Sequence, residues 1–202
     1  MNKKLAILIA AITTILIVVF LVSSNSRDVV PEGNFAKTGT NIIFFGDSLV
    51  EGVGASSKND LVSVLSEMID EPIINAGVSG DTTRTALVRI NEDVLSKDPK
   101  VVIVLLGGND YLLRYPKEET ENNMITIIDQ IRSKNAAVLV VGVNDGYYED
   151  VTRSKGVSYV PTVLKDILFN KDLMSDSIHP NDKGYKLMAE RIAPTLKQIL
   201  NK

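Results

Sequence analysis

The sequence predicts a three-layer α/β/α sandwich, in which a parallel sheet lies between two layers of helices. Several short segments are apolar at every position, and such strands must be covered on both faces, as they are in a parallel sheet flanked by helices. These segments alternate with others in which apolar residues recur at helical spacing. The chain has 202 residues, 45% of them apolar and 23% charged. These values suit one globular domain with an appendage and argue against wholesale disorder.

Each predicted strand is a continuous apolar run that stops at a glycine or a polar loop. The clearest is 100–106, a Val-Val-Ile-Val-Leu-Leu run that ends at Gly107-Gly108. In chain order the predicted strands are residues 42–45, 72–75, 100–106, 136–143 and 157–160.

The predicted helices are recognised by the spacing of their apolar residues. In the third one, Met124, Ile127, Ile128 and Ile131 follow the i, i+3, i+4, i+7 pattern of one helix face. In chain order the predicted helices are residues 61–69, 82–97, 124–131 and 181–200, the last with Pro194 as a possible bend.

The connection at 144–156 is unusually short for a parallel crossover. Such a crossover takes about a dozen residues or more and is usually helical. We therefore expect either a helix reduced to a turn or a poorly formed fifth strand.

An apolar segment precedes the domain. Residues 5–22 carry no charge and follow Lys3 and Lys4. As a helix this run would cover about 27 Å, roughly the hydrocarbon thickness of a bilayer. The sequence predicts an N-terminal hydrophobic helix that is a membrane anchor or a signal segment, and the long run favours an uncleaved anchor over a signal peptide.

The predicted organisation has three parts: the anchor or signal segment at 1–24, a polar tether at 25–40 and the α/β domain at 41–202. The two lysines should stay in the cytoplasm, which places the domain outside it, tethered to the membrane, or secreted if the segment is cleaved. Oligomeric state stays open.

Composition excludes several chemistries. The chain has no cysteine and a single histidine, His179, so thiolate nucleophiles, zinc–thiolate sites and multi-histidine metal sites are excluded. The net charge of −3 argues against a nucleic-acid binder.

Polar segments follow the predicted strands, at the carboxyl edge of the sheet where ligands bind in such folds. They are Gly46-Asp47-Ser48, the loop around Gly80, Gly107-Gly108-Asn109-Asp110 and Asp176-Ser177-Ile178-His179.

Together these segments supply every group that acyl transfer by a serine needs. Ser48 would be the nucleophile, and its base can only be His179. Asp176, three residues earlier, can hold the other ring nitrogen of the imidazole. The backbone N–H groups of Ser48 and Gly80 and the amide of Asn109 would form an oxyanion hole, since a residue without a side chain lets the backbone approach the substrate.

In order and position, these segments resemble those of the SGNH (GDSL) esterase/lipase hydrolases, in particular the bacterial arylesterases, lysophospholipases and acyl-thioesterases. The resemblance spans residues 41–200 and implies a flavodoxin-like fold and catalysis without a metal or organic cofactor. It implies a triad of Ser48, Asp176 and His179, with Ser48, Gly80 and Asn109 as the oxyanion hole. The short crossover departs from the family pattern at the wall of the acyl pocket.

Three other sets of residues have alternative interpretations. Asp47 and Asp110 could ligate a metal with Asp176, although hydrogen bonding within their own turns is favoured. Arg84 could meet an anionic substrate group or lie on a helix surface, and Tyr111 to Leu113 could line an acyl groove or belong to the core.

The favoured function is hydrolysis of a lipid, short-chain or thioester substrate through an acyl-enzyme. Removal of O-acetyl groups from cell-surface glycan is a variant of this function. A carboxylate-based metallo-phosphohydrolase, which a chelator would inactivate, and a catalytically silent SGNH-like binding domain are the alternatives.

Overall fold

A computed structural model describes residues 37–143 and 146–201, and this part of the chain forms one parallel sheet covered by helices on both faces. The strands are β1 (Asn41–Gly46), β2 (Ile73–Gly77), β3 (Pro99–Leu105), β4 (Ala137–Val141) and β5 (Ser158–Val160). Their order across the sheet is β2-β1-β3-β4-β5, and every neighbouring pair is parallel. The predicted parallel sheet is therefore confirmed.

Seven helices connect and cover the described strands: α1 (Ser48–Glu51), α2 (Leu61–Ile69), α3 (Thr83–Asp93), α4 (Gly108–Leu112), α5 (Lys117–Arg132), α6 (Glu149–Lys155) and α7 (Asp182–Leu200). Alternate residues of β1 point to opposite faces. Ile42 and Phe44 pack with α2 and α7, whereas Ile43 and Phe45 pack with α3, α5 and α6. Two apolar cores, one on each side of the sheet, make the three layers that the sequence predicts.

The predicted N-terminal hydrophobic helix lies outside the described residues, as does most of the tether. Among the helices that the structure does describe, none has the length and apolar character needed to cross a bilayer.

Two predicted helices differ from the structure in detail. The segment 82–97 is helical only to Asp93, because the backbone of Val94 (φ −127°, ψ −62°) leaves the helical region and a separate 3₁₀ turn, Leu95–Lys97, follows. The last helix runs without interruption through Pro194 and ends at Leu200.

The short crossover forms better than expected. Its helix α6 has seven residues, which is about two turns rather than one. The strand β5 has only three residues, yet they pair in regular parallel register with Leu139, Val140 and Val141 of β4. The expectation of a single turn or a poorly formed strand is therefore wrong, and the loop that follows β5 starts from a defined position.

The close approach of α1 to the end of β2 depends on Gly77. A Cβ atom at this position would overlap the backbone nitrogen of Glu51 and the carbonyl carbon of Val50. Neither group can move aside like a flexible side chain, because both belong to the backbone of α1.

We expect Gly77→Ala to lower the free energy of unfolding by about 3 kcal/mol, because the added methyl group forces the backbone of α1 away from β2. Urea denaturation of the full-length protein measures this change. Gly108→Ala is the matched control: its Cβ would lie 3.6 Å from Asp47 Oδ2, an ordinary contact, and it should change stability by less than about 1 kcal/mol. Equal losses in the two variants would contradict this explanation.

Candidate active site

Ser48 is the first residue of α1, directly beyond the carboxyl end of β1. The turn between strand and helix is closed by Asp47, whose Oδ1 accepts a hydrogen bond from the Leu49 backbone N–H at 3.0 Å. This N-cap lets the helix begin at once. The hydroxyl of Ser48 is consequently held at the edge of the sheet where ligands bind.

The loop before α7 folds around the carboxylate of Asp176. Oδ1 of Asp176 accepts hydrogen bonds from the backbone N–H groups of Ile178 (2.8 Å) and His179 (2.7 Å). Oδ2 lies 2.7 Å from His179 Nδ1. One side chain therefore shapes the loop and orients the imidazole.

These hydrogen bonds favour the ionised form of Asp176. The bond to the imidazole is the largest cause, followed by those from the two backbone N–H groups, and together they lower the pKa of Asp176 to about 2. The carboxylate is therefore negatively charged at neutral pH. It can therefore stabilise a positive charge on the ring that it holds.

The imidazole of His179 reaches the hydroxyl of Ser48 from the opposite end of the chain. His179 Nε2 lies 3.0 Å from Ser48 Oγ, although the two residues are 131 positions apart in the sequence. The structure thus aligns Asp176, His179 and Ser48 in one chain of hydrogen bonds.

Contacts between α7 and the segment after α1 hold the two halves of this arrangement together. Tyr185 donates its hydroxyl hydrogen to the carbonyl oxygen of Val53 at 2.7 Å. The carboxylate of Asp182 accepts hydrogen bonds from both the backbone N–H and the hydroxyl of Ser56, at 2.7 and 2.6 Å. Sequence reasoning missed these residues, because the partners lie more than a hundred positions apart and no local pattern marks them.

Gly80 lies in the loop after β2 with φ +81°. A Cβ atom at this position would meet nothing within 4 Å. The left-handed backbone conformation therefore favours glycine at this position. Among the residues that the structure describes, none accepts a hydrogen bond from the backbone N–H of Gly80 or of Ser48.

Asn109 is the second residue of α4, beyond the end of β3. Its Nδ2 donates one hydrogen bond to the carbonyl oxygen of Asp81 at 2.8 Å. An amide nitrogen carries two hydrogens, so this bond orients the group and leaves a second N–H available.

The other acidic residues of these segments have structural partners. Asp47 caps its own turn as predicted, but Asp110 accepts hydrogen bonds from the backbone N–H (2.9 Å) and hydroxyl (2.5 Å) of Thr83 on α3. The prediction that Asp110 bonds within its own turn is therefore wrong. Among the described residues, no three acidic or histidine side chains are placed to hold a metal ion.

Arg84 lies on the surface of α3, where it donates to Glu119 at 2.5 Å and its guanidinium carbon lies 4.7 Å from the ring centre of Tyr115. Of the two interpretations of Arg84, the structure therefore supports a residue of the helix surface.

A cavity of about 450 Å³ opens beside Ser48 and His179. Most of its wall is apolar and comes from α4 and from the loops after β4 and β5: Tyr111, Leu112, Val143, Leu164, Leu168, Phe169 and Ile178. Tyr111, Leu112 and Leu113 are each more than half exposed, so the core interpretation of this segment is wrong. Tyr111 and Leu112 line the cavity, whereas Leu113 is not among its lining residues. Phe169 is 94% exposed although it lines the cavity.

A five-stranded parallel sheet with a serine after its first strand and an Asp–His pair before its last helix defines the SGNH class of ester hydrolases. The sequence agrees with this class. Residues 44–187 match the GDSL-like Lipase/Acylhydrolase family, and since the match covers more than half of the chain, the chain belongs to that family. The resemblance stated from the sequence is confirmed, and the protein is an ester hydrolase.

Individual relatives support the same assignment. Esterase TesA of Pseudomonas aeruginosa is 28% identical over 178 residues, which cover 79% of this chain and 89% of the relative. Thioesterase 1/protease 1/lysophospholipase L1 of Escherichia coli K12 is 25% identical over 182 residues, covering 82% and 88%. The crystal structure of TesA superposes with a TM-score of 0.74 at 24% identity, covering 79% of this chain and 99% of that one, and shares the fold.

Asp47 is the acidic residue of the site whose ionisation is most strongly opposed. It is 3% exposed, and burial, followed by the nearby charges of Asp81 and Asp110, raises its pKa to about 7, against a partly compensating hydrogen bond from Leu49. Between its ordinary pKa near 3.8 and about 7, the folded state keeps a proton that the unfolded state has released. This carboxyl therefore destabilises the fold progressively as the pH rises through that range.

We expect Asp47→Asn to become more stable relative to the natural protein as the pH rises from 4 to 7, by on the order of a few kcal/mol. The amide can still accept from Leu49 but cannot ionise. Urea denaturation at several pH values measures the difference in free energy of unfolding between the variant and the natural protein. The difference at pH 4 serves as the reference, because it contains mainly the part of the effect that does not depend on ionisation. A difference that stays constant from pH 4 to 8 would contradict the prediction.

Proposed function

We propose that the protein hydrolyses carboxylic esters or thioesters of apolar acyl chains through a covalent acyl-enzyme on Ser48. The hydrogen-bonded series from Asp176 through His179 to Ser48 carries the proposal, because it contains a nucleophile, a base and a group that orients the base. The family provides the reaction class, and the geometry supplies a residue for each role.

In the first half of the proposed reaction, Ser48 Oγ attacks the carbonyl carbon of the substrate while His179 Nε2 takes the hydroxyl proton. The resulting oxyanion accepts hydrogen bonds from the backbone N–H groups of Ser48 and Gly80 and from the side chain of Asn109. His179 then returns the proton to the leaving oxygen or sulfur as the bond to the acyl carbon breaks. An alcohol or thiol leaves, and the acyl group stays on Ser48.

The second half repeats these steps with water. His179 takes a proton from a water molecule that attacks the acyl carbon, and Ser48 leaves after receiving that proton back. The products are a carboxylic acid and the restored serine. Throughout, Asp176 keeps its negative charge and stabilises the imidazolium that forms twice in each cycle.

The cavity beside Ser48 supports an apolar acyl group as the preferred substrate. Leu164, Leu168 and Ile178 line the space next to the imidazole, and such a wall gains free energy by removing hydrocarbon from water. An acetyl group on a glycan would leave most of this surface unused. The apolar wall therefore favours lipid, acyl-ester or thioester substrates over O-acetylated sugars.

We also propose that the domain works outside the cytoplasm, tethered to a membrane by residues 5–22. The uncharged run and the two lysines before it support this location. The described part of the chain begins at Lys37, whose Nζ donates to the carbonyl oxygen of Ile199 at the end of α7. The tether therefore joins the domain at the amino edge of the sheet, and the cavity opens at the carboxyl edge.

The natural protein should hydrolyse p-nitrophenyl butyrate and be labelled by a fluorophosphonate at one site, and Ser48→Ala should lose both properties, since the nucleophile is absent. The loss of activity should exceed about 10³-fold. Ser133→Ala, at an exposed serine far from the cavity, is the matched control and should behave like the natural protein. Peptide mapping that places the label on another residue would overturn the proposal, and a screen of acyl chain lengths on the same variants identifies the preferred substrate.

The rate should fall as the pH is lowered, because a protonated imidazole cannot accept the proton of Ser48. The pKa of Asp176, about 2, lies too low to cause a loss in moderately acidic solution. Asp47, whose pKa burial raises to about 7, also gains a proton as the pH falls, so Asp47→Asn is the control. We expect that variant to keep the acidic limb in a profile of kcat/KM. A flat profile, or a limb that disappears in Asp47→Asn, would contradict the role of His179.

A further inference from the structure

Arg89 is a largely buried arginine on α3, and each of the three nitrogens of its guanidinium group donates a hydrogen bond. Its side chain is 17% exposed. Nε donates to Asp81 Oδ2 at 2.6 Å, Nη2 to the carbonyl oxygen of Gly46 at 2.9 Å, and Nη1 to Asp93 Oδ2 at 2.8 Å. The guanidinium carbon also lies 4.4 Å from the ring centre of Phe45. Burial of a charge is costly unless it is paired in this way, so the position is specific for arginine.

Two of these contacts are to the segments that carry the backbone donors of the proposed oxyanion hole. Gly46 lies two residues before Ser48, and its carbonyl oxygen also accepts the backbone N–H of Val78 at 3.0 Å. Asp81 follows Gly80 directly. Arg89 therefore fixes the position of the turn after β1 relative to the loop after β2.

The third donor is attached to the same unit. The carbonyl oxygen of Asp81 accepts the hydrogen bond that orients the Asn109 side chain. Asp81 is thus held by Arg89 through its carboxylate and holds Asn109 through its backbone. One guanidinium group is connected, through at most one intervening residue, to all three segments that supply a donor.

We propose that Arg89 is a positioning residue of the oxyanion hole, which sets the spacing of the Ser48, Gly80 and Asn109 donors without touching the substrate. This inference rests on the proposed function of Ser48 and deepens it. Donors that must match a developing oxyanion need their positions set before the reaction starts, because reorganising them during the reaction raises the barrier. A lysine could pair with Asp81 but could not also reach Gly46 with a planar, two-sided group.

The test compares Arg89→Gln and Arg89→Lys with Arg84→Gln in the full-length protein. Arg84 is the matched control, since it lies on the same helix with its own carboxylate partner and aromatic contact but points to the surface. We expect Arg89→Gln to lower kcat for p-nitrophenyl butyrate by about 10- to 100-fold with KM changed less than about 3-fold. The kcat of Arg89→Lys should lie between those of Arg89→Gln and the natural protein, and the kcat of Arg84→Gln should equal that of the natural protein.

Two measurements separate positioning from a merely structural role. The end point of fluorophosphonate labelling counts competent sites, so kcat is expressed per labelled site and unfolded protein does not contribute. Asn109→Ala should cost about 100-fold in the natural background but less than about 10-fold in Arg89→Gln, because the amide is already misplaced there. The same cost in both backgrounds, or an unchanged kcat per site in Arg89→Gln, would overturn the inference.

Failure of this inference differs from failure of the proposed function. If the natural protein is not labelled and not active, the serine mechanism itself is wrong. If the natural protein is labelled but both Arg89 variants behave like Arg84→Gln, only the role of Arg89 is wrong. Should Arg89→Gln not fold, Arg89→Lys decides: a lower kcat at constant KM supports the inference, and a natural kcat overturns it.

Discussion

The 3.0 Å contact between Ser48 Oγ and His179 Nε2 is the interaction on which the site depends, and the parallel sheet makes it possible. A parallel arrangement brings the carboxyl ends of all strands to one edge, so a serine after β1 and a histidine near the chain's end can meet. The topology alone does not set the distance between the two side chains to within hydrogen-bonding range. Hydrogen bonds from α7 to the segment after α1, made by Tyr185 and Asp182, fix the relative position of the two segments.

How much could be predicted from the sequence follows from the range of each interaction. The strands were predictable because burial on both faces makes each residue apolar. The Asp176–His179 pair was predictable because its members lie three positions apart in the sequence. The bond between Asp110 and Thr83 was not predictable, since an aspartate after a strand can equally bond its own turn. Arg89 resembled any arginine of an amphipathic helix. The second turn of α6 was not predicted, because a helix of seven residues is too short to show a clear helical spacing of apolar residues.

The proposed oxyanion donors differ in how they are made available. The donors of Ser48 and Gly80 are backbone N–H groups, and the turn that contains each one sets its direction. A substitution of the side chain does not remove such a donor. Asn109 is a side chain and could rotate, and its bond to Asp81 removes that freedom. Arg89 connects the carboxylate of Asp81 to the strand before Ser48. The site therefore combines fixed backbone geometry with one buried ion pair that holds two loops in place.

In the proposed mechanism, three buried carboxyl groups near the oxyanion donors need an explanation, because each would oppose the negative charge of the oxyanion. Asp81 is neutralised by Arg89 at 2.6 Å, and Asp110 is held by two hydrogen bonds from Thr83. No lysine or arginine in the described part of the chain pairs with Asp47, and burial raises its pKa to about 7. This raised pKa leaves a share of the Asp47 carboxyl groups protonated at neutral pH. The carboxyl nearest to Ser48 along the chain thus keeps its capping hydrogen bond to Leu49 while carrying much less negative charge than an exposed aspartate would. Burial of Asp47 costs stability at high pH, and it lowers the electrostatic opposition to charge on the substrate oxygen.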